Sequence, residues 1–390
     1  MMEKVRLGDI CTLKQGFQVP INEQITEQKD GYVRFIRIVD YTQHTDDIRY
    51  VLNDKRYYFV EKDDIVMVRY GAAGEVGSGI EGVIANNMFL IEPLIDINKA
   101  YLRYYLSQEK IRDKILRLSS SSTMPALNFK IVNALEIPVF ERKIQDFIVV
   151  LLDRITELID KRQKQLSKLD ELVKSRFVEL FGDPYINDKN WMVDTLGNYM
   201  TTLTDFSANG SYELLDSNVV MYDEPNYAIM VRTTDLESGD LSSGVKYIDE
   251  SAYELLSKSK LFGGELIMNK IGSAGKIYIM PYIDRPASLG RNAFMFRFDD
   301  RLNMKYLYFL LTSDYGTKEI QQYVRGAVTK TITKESTRAI KIIVPPIELQ
   351  NQFATFVEQT DKSKLEVQKS LEKLELLKKA LMQKYFGGNL

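Results

Sequence analysis

Cysteine, histidine and tryptophan each occur once in 390 residues. Cys11 alone excludes an internal disulfide and any multi-cysteine zinc site. His44 alone removes most histidine-based acid–base catalysis and metal chemistry, and it reads as a loop residue. Long apolar runs are missing too. The richest, Phe147 to Leu152, is far too short to span a bilayer and lies inside an amphipathic stretch. The opening Met-Met-Glu-Lys runs straight into a strand-like pattern with no apolar signal region, so a cytoplasmic protein without membrane attachment is expected. Neither sign of charge dominates. The formal net charge of −2 gives no support to bulk counterion-release binding to nucleic acid.

What the chain does have is a second half that rewrites the first. Lys168-Leu169-Asp170 is answered by Lys373-Leu374-Glu375, Phe181-Gly182 by Phe386-Gly387 and Tyr101-Leu102 by Tyr306-Leu307, all at a shift of 205 residues. Asn87 and Phe89 answer Asn292 and Phe294. Gly71 and Gly74 answer Gly272 and Gly275, and Leu7-Gly8 answers Leu196-Gly197, with shifts that fall as loops of unequal length intervene. A period near 200 residues is too long for a solenoid unit, so this is a duplicated domain. Between these anchors the halves diverge, as two readers of different targets would.

Each half closes in a long helical stretch. Ile144, Ile148, Leu151, Ile155 and Leu158 follow the alternating steps of a coiled-coil seam. The polar run Lys161–Gln165 interrupts the seam as a stutter, and Leu166, Leu169, Val173, Phe177 and Leu180 resume it. Pro138 precedes this rod and Gly182-Asp183-Pro184 stops it. The last rod follows Pro345-Pro346, carries Phe353, Val357, Thr360, Val367, Leu371, Leu374, Leu381 and Tyr385 on one face, and ends at Gly387-Gly388. Two matched rods bury their stripes most simply against one another, antiparallel if the halves share a pseudo-twofold axis. Separate helical hairpins and intermolecular coiled coils are the alternatives.

The expected fold class is therefore α+β: two similar mixed α/β heads joined by two long antiparallel coiled-coil helices. The expected bounds are 1–140 for the first head, 141–184 for the central rod, 185–347 for the second head and 348–390 for the last rod. Tyr32–Val39 and Tyr227–Arg232 read as strands, as do Asp64–Val68 and Glu265–Met268, each of the latter pair running into a glycine loop. Such a loop lets backbone approach a phosphate or a partner strand, and a plain turn fits the same residues.

Several motifs together resemble the specificity subunit of type I restriction-modification systems, over nearly the whole chain. They are the opening Val5–Ile10, the paired glycine loops, Ser121–Asn128 leading to Ile137-Pro138, the helix end Lys174–Pro184, and Val344-Pro345-Pro346 with Glu348 and Gln352. The resemblance implies that each head is a target recognition domain reading one half of a split, asymmetric double-stranded DNA site. The paired rods would set the gap and dock two methyltransferase subunits, joined in some complexes by restriction/translocase subunits. S-adenosylmethionine would be bound by the methyltransferase, leaving no cofactor, metal or catalytic residue here. A duplicated protein-binding scaffold with coiled-coil spacers and no DNA recognition is the competing class, and the balanced charge suits it.

Motifs suggesting chemistry within this chain fail on inspection. Gly182-Asp183-Pro184-Tyr185 lacks the second proline of an amino-methyltransferase motif. Gly272–Lys276 has Lys270 where a P-loop requires glycine, and Ile277 where it requires Ser or Thr. Base edges are read by Arg, Lys, Asn and Gln, and phosphates by Ser, Thr, Lys and backbone amides. On that ground the DNA-binding candidates in the first half are Lys14, Gln15, Arg37, Tyr41, Gln43, Arg69, Tyr70, Asn86, Asn87, Ser121, Thr123 and Lys130. In the second half they are Asn209, Arg232, Thr233, Thr234, Asn269, Lys270, Ser273, Arg291, Asn292, Lys330, Thr331 and Lys334.

Overall fold

The computed structural model describes residues 3–43, 45–119 and 127–387. The chain forms two compact units, Met1–Gln163 with Lys369–Leu390 and Lys164–Gln368. Each unit takes one head and one stretch from each of two long helices, a central one, Arg142–Phe181, and a C-terminal one, Ile347–Phe386. Both helices have 40 residues, which at the α-helical rise makes each about 60 Å long.

In unit one the strand Ile65–Val68 shows how the sequence partitions the head. All four residues are buried, yet successive side chains point to opposite faces. Ile65 and Met67 join the core shared with the helices, while Val66 and Val68 join a second core. The neighbouring strand Met88–Pro93 divides likewise, with Phe89 and Ile91 on one side and Met88 and Leu90 on the other. One sheet orders Cys11–Gln15, Met88–Pro93, Ile65–Val68 and Val76–Gly77, all antiparallel. The other orders Arg49–Leu52, Tyr32–Ile36, Gly82–Ile84 and Phe59–Val60 around a parallel pair, Tyr32–Ile36 with Gly82–Ile84. The strand Glu3–Arg6 pairs antiparallel with Glu136–Val139 just before the central helix.

Unit two repeats this topology. Its antiparallel sheet orders Met200–Asp205, Ala293–Phe298, Leu266–Asn269 and Ile277–Ile279. Its mixed sheet orders Lys246–Ile248, Ala228–Val231, Ala287–Leu289 and Lys260–Leu261, with Ala228–Val231 and Ala287–Leu289 parallel. The alternation recurs, since Leu266 and Met268 face the helix-side core while Ile267 faces the other. Met192–Thr195 pairs with Lys341–Val344 before the C-terminal helix.

Hydrogen bonds are duplicated along with the topology. The Tyr101 hydroxyl donates to Pro138 O at 2.6 Å in unit one, and the Tyr306 hydroxyl to Ile343 O at 2.9 Å in unit two. Both tyrosines are fully buried, so each hydroxyl needs such a partner.

The two helices pack on the heads and on each other. In unit two Phe353 meets both Phe177 and Phe181, the Arg176 guanidinium lies over Phe356, and Lys364 pairs with Asp170 at 2.6 Å. One number rises as the other falls, so these stretches run antiparallel. In unit one Ile148, Val149 and Leu152 enter the head core, and Phe386 enters it from the C-terminal helix, 5.1 Å from Tyr101. Two similar mixed heads with long paired helices were expected, and these are observed.

The seam itself needs correction. The buried apolar residues of the first half of the central helix are Ile148, Val149, Leu152, Ile155 and Ile159, whereas Ile144 is exposed and Leu151 and Leu158 are half-buried. The helix buries one flank in the head, which widens and turns the stripe beyond a strict two-helix seam. From Val173 onward the expected residues Val173 and Phe177 are buried, joined by Phe181.

Candidate nucleic-acid interface

The parallel strand pair places the same opening in each head. Where Tyr32–Ile36 and Gly82–Ile84 end, Arg37 and Asn86-Asn87 leave the sheet and line a cleft of about 500 Å³ together with Phe17 and Gln18. Where Ala228–Val231 and Ala287–Leu289 end, Arg232, Thr233-Thr234 and Arg291-Asn292 line a cleft of about 330 Å³ beside Phe206. The crevice at the carboxyl ends of parallel strands is where sheets of this kind present ligands with diverging backbone groups. The linings correspond in place but not in chemistry. Ile38-Val39 of one head stands where Thr233-Thr234 stands in the other, and Asn86 stands where Arg291 does.

Each cleft has an arginine fixed at its edge. The backbone N–H of Arg37 donates to Asp40 at 2.7 Å, and its guanidinium reaches Asp47 at 3.1 Å. The Arg232 backbone N–H donates to Asp235 at 2.8 Å, and its guanidinium to Asp235 at 2.5 Å and Gly244 O at 2.8 Å. Both aspartates are buried. Sequence reasoning named the arginines and missed the aspartates, although Arg-x-x-Asp at Arg37–Asp40 and Arg232–Asp235 recurs in both halves. Arg291 is held more loosely. It pairs with exposed Asp216 at 3.2 Å and lies over the Phe206 ring, an arrangement that solvent screens and little energy holds.

A second shared feature ties three segments together beneath the cleft. In head one Arg69 donates to Gln15 Oε1 and to Leu127 O, both at 3.2 Å, and Gln15 in turn donates to Asn86 O. In head two Asp205 stands at the position of Gln15, and Lys270 and Lys334 close on it at 2.7 and 2.9 Å. Burial opposes the charged form of Asp205. The hydrogen bonds from Lys270 and Lys334 outweigh it and hold the carboxyl below its usual value. The candidates Gln15, Arg69, Lys270 and Lys334 thus stand primarily in the framework, and the two lysines leave the node of the second head with net positive charge.

The remaining candidates scatter. Lys14 pairs with Glu92 at 2.6 Å, and the Tyr70 hydroxyl donates to Asn86 at 3.2 Å. Tyr41 packs against Gly77, its hydroxyl pushed up to about 12 by burial and then by neighbouring Asp40. Asn209 bonds Phe206 O and Ser259, and Asn269 is buried in its strand. Gln43 and Lys130 are exposed on the surface of head one. Ser121 and Thr123 lie outside the described residues, as does His44.

The glycine loops are turns in which the amides of Gly74, Gly272 and Gly275 are already used. Gly74 N donates to Val68 O at 2.9 Å and Gly275 N to Asn269 O at 2.8 Å, while Gly272 N donates to Lys330 O at 2.9 Å. Gly275 has φ +89°, and a Cβ there would lie 2.5 Å from Ile320 Cγ2, so backbone shape and close packing both require glycine. Ser273 and Lys330 line a shallow opening beside this turn, and Thr331 lies in the bridge that closes the next loop. Among the described residues no cluster of His, Cys, Asp and Glu is arranged to hold a metal ion, and no helix is long and apolar enough to cross a membrane.

A duplicated α/β head with clefts at corresponding places and paired helices defines a class of two-headed recognition subunit. The chain belongs to the family of the type I restriction modification DNA specificity domain, whose model matches residues 1–171 and 198–377. It is 23% identical over 399 residues to the type I restriction enzyme MjaVIII specificity subunit of Methanocaldococcus jannaschii, covering 100% of this chain and 92% of that one. It is also 23% identical to the MjaIX specificity subunit of the same organism, over 84% of this chain and 78% of the relative. Its fold is similar to the crystal structure of the type I restriction-modification S subunit from M. genitalium, with TM-score 0.58 and 15% identity, covering 99% and 96% of the two chains. A chain from a structural study of complex assembly and conformational transition of the type I R-M system superposes with TM-score 0.59 at 16% identity, covering 100% and 98%. DNA target recognition is the role of this family.

Proposed function

We propose that each head reads one half of a split, asymmetric double-stranded DNA site, and that the paired helices set the gap and dock two methyltransferase subunits. The observation that carries this reading is the pair of corresponding clefts with unlike linings on one shared frame. Two different half-sites call for such a design, because base identity is read by side-chain donors, acceptors and apolar groups while the frame supplies only position.

Docking is supported by apolar side chains that the fold leaves uncovered. Ile144, Phe147 and Val150 lie on successive turns of the central helix in unit one, with Phe147 59% exposed. Leu172, Val178 and Leu365 are likewise exposed in unit two. Stripes of this kind on a long helix mark protein contacts. S-adenosylmethionine and the methyl transfer to adenine would belong to the docked subunits, which accounts for a chain with one histidine and one cysteine. Restriction/translocase subunits would join the same assembly where present.

Coexpression with the cognate methyltransferase, followed by mapping of methylated adenines, tests the reading. A two-part motif with a fixed non-specific gap is expected. Exchanging residues 1–138 for another head should alter one half only, and lengthening both helices by a heptad should widen the gap. A contiguous motif, or methylation independent of this chain, would overturn the proposal.

A further inference from the structure

The loop Arg325–Thr331 of unit two is pinned at its base and bare at its tip. Arg325 N donates to Thr331 O at 2.9 Å and Thr331 N to Arg325 O at 2.7 Å, closing the neck. Gly272 N then holds Lys330 O at 2.9 Å, and Lys270 O accepts from Ile332 N at 3.0 Å, fixing the neck to the sheet. Gly326 turns the chain at φ +102°, where a Cβ would collide with Thr329 O, so the turn requires glycine. At the tip Val328 is 98% exposed, more than any other large apolar side chain among the described residues.

An aliphatic side chain held in water by an anchored loop contributes no burial to the fold. Its surroundings are those of a polyanion contact. Lys330 is exposed on the same loop, and beneath the neck Lys270 and Lys334 share the single carboxylate of Asp205. Arg325 donates to Gln322 O at 2.6 Å, so its guanidinium folds back on the end of the preceding helix rather than onto the tip. Cations of this kind hold phosphates and position a loop in a groove, while the tip is left to meet base edges. Valine offers methyl groups and neither donor nor acceptor. The one apolar group on a base edge in the major groove is the 5-methyl of thymine.

We infer that Val328 is a specificity-determining residue of head two, selecting a thymine in its half-site through contact with the 5-methyl group. The inference rests on the reading of head two as a DNA reader. No other base edge gives an isopropyl group a partner, and the pinned neck means that no loop ordering is needed on binding.

The test uses the full chain in complex with its methyltransferase and duplexes carrying the mapped site. Each thymine of the half-site read by head two is replaced in turn by deoxyuridine, which removes only the methyl group, and methylation is measured at limiting DNA. At one position the wild-type complex should lose about 3–5-fold in rate, the contribution of one buried methyl group. Val328→Ala should abolish most of that thymine–uracil difference, Val328→Ile should keep it, and substitutions in the half-site read by head one should be unaffected. Because Val328 is solvent-exposed, neither variant disturbs the core. Absence of any methyl-sensitive thymine, or the same discrimination in Val328→Ala, would overturn the inference. A wild-type complex with no split site would instead defeat the function reading, before any variant is compared.

Discussion

Gln350 accepts the backbone N–H of Asn303 at 2.8 Å while donating from its own amide to Pro345 O at 2.8 Å. Gln145 does the same for Asn98, at 2.8 Å, and for Phe140 O, at 2.7 Å. Both glutamines are buried. Each therefore locks the start of a long helix to the first turn of the helix that carries Tyr101 or Tyr306.

Replacing Gln350 by Leu should strand a buried backbone N–H and a carbonyl, at a cost of about 1–3 kcal/mol. Thermal unfolding should show a fall of roughly 2–4 °C for each kcal/mol lost. Gln352→Leu, two residues on and exposed, should stay within about 0.5 kcal/mol of wild type. Equal effects of the two substitutions would mean that the junction carries no special share of stability.

Asp205 predicts a pH dependence. Its carboxyl is held below the ordinary 3.8 in the folded state, so its contribution is fully present above that value and is lost as pH falls through the lowered folded value. Urea midpoints of wild type and Asp205→Asn should differ by a constant amount near neutrality and converge as the solution is acidified below 3.8. A gap that widens in acid would contradict the Lys270–Asp205–Lys334 arrangement.

The helices separate packing from docking. Phe353→Ala removes a fully buried ring in contact with Phe177, Phe181 and Phe309 and should cost about 3–5 kcal/mol. Leu172→Ala, on the exposed side, should leave denaturant unfolding within about 0.5 kcal/mol of wild type. Combined with Val178→Ala and Leu365→Ala, it should weaken methyltransferase association in sedimentation or light-scattering measurements.

Two arginines beside one cleft should behave differently. Arg232→Ala leaves buried Asp235 without its guanidinium partner and should reduce stability by about 1–3 kcal/mol. Arg291→Ala breaks an exposed pair and a contact over the Phe206 ring and should leave stability nearly unchanged while altering the half-site mapped for head two. Methylation mapping and thermal unfolding of both variants distinguish these outcomes. An unchanged motif for Arg291→Ala would remove that residue from the reading surface.

The repeated anchors and the two rods were legible because duplication and helical periodicity are local patterns. Tyr101 and Tyr306, matched by spacing alone, turn out to make the same buried hydrogen bond. The phase of the central rod was less legible. Leu152 and Ile159 are buried in preference to Leu151 and Leu158, because a helix packed against a head as well as another helix buries a broader stripe than a seam rule assumes. The site was read by residue type, which finds donors but not their partners. Arg69 is occupied by Gln15, 54 positions away, and Lys334 by Asp205, 129 positions away. No spacing rule reaches such distances.

Phe386, near the end of the chain, fills the core of unit one against Tyr101 and Tyr105. The core of unit one is thus completed by a residue 285 positions beyond Tyr101 in the sequence. A chain cut a few turns before Phe386 would keep the core of the second head whole and leave the first without its plug. Loss of the tail would then mute the N-terminal reader, nearly three hundred residues upstream of the break.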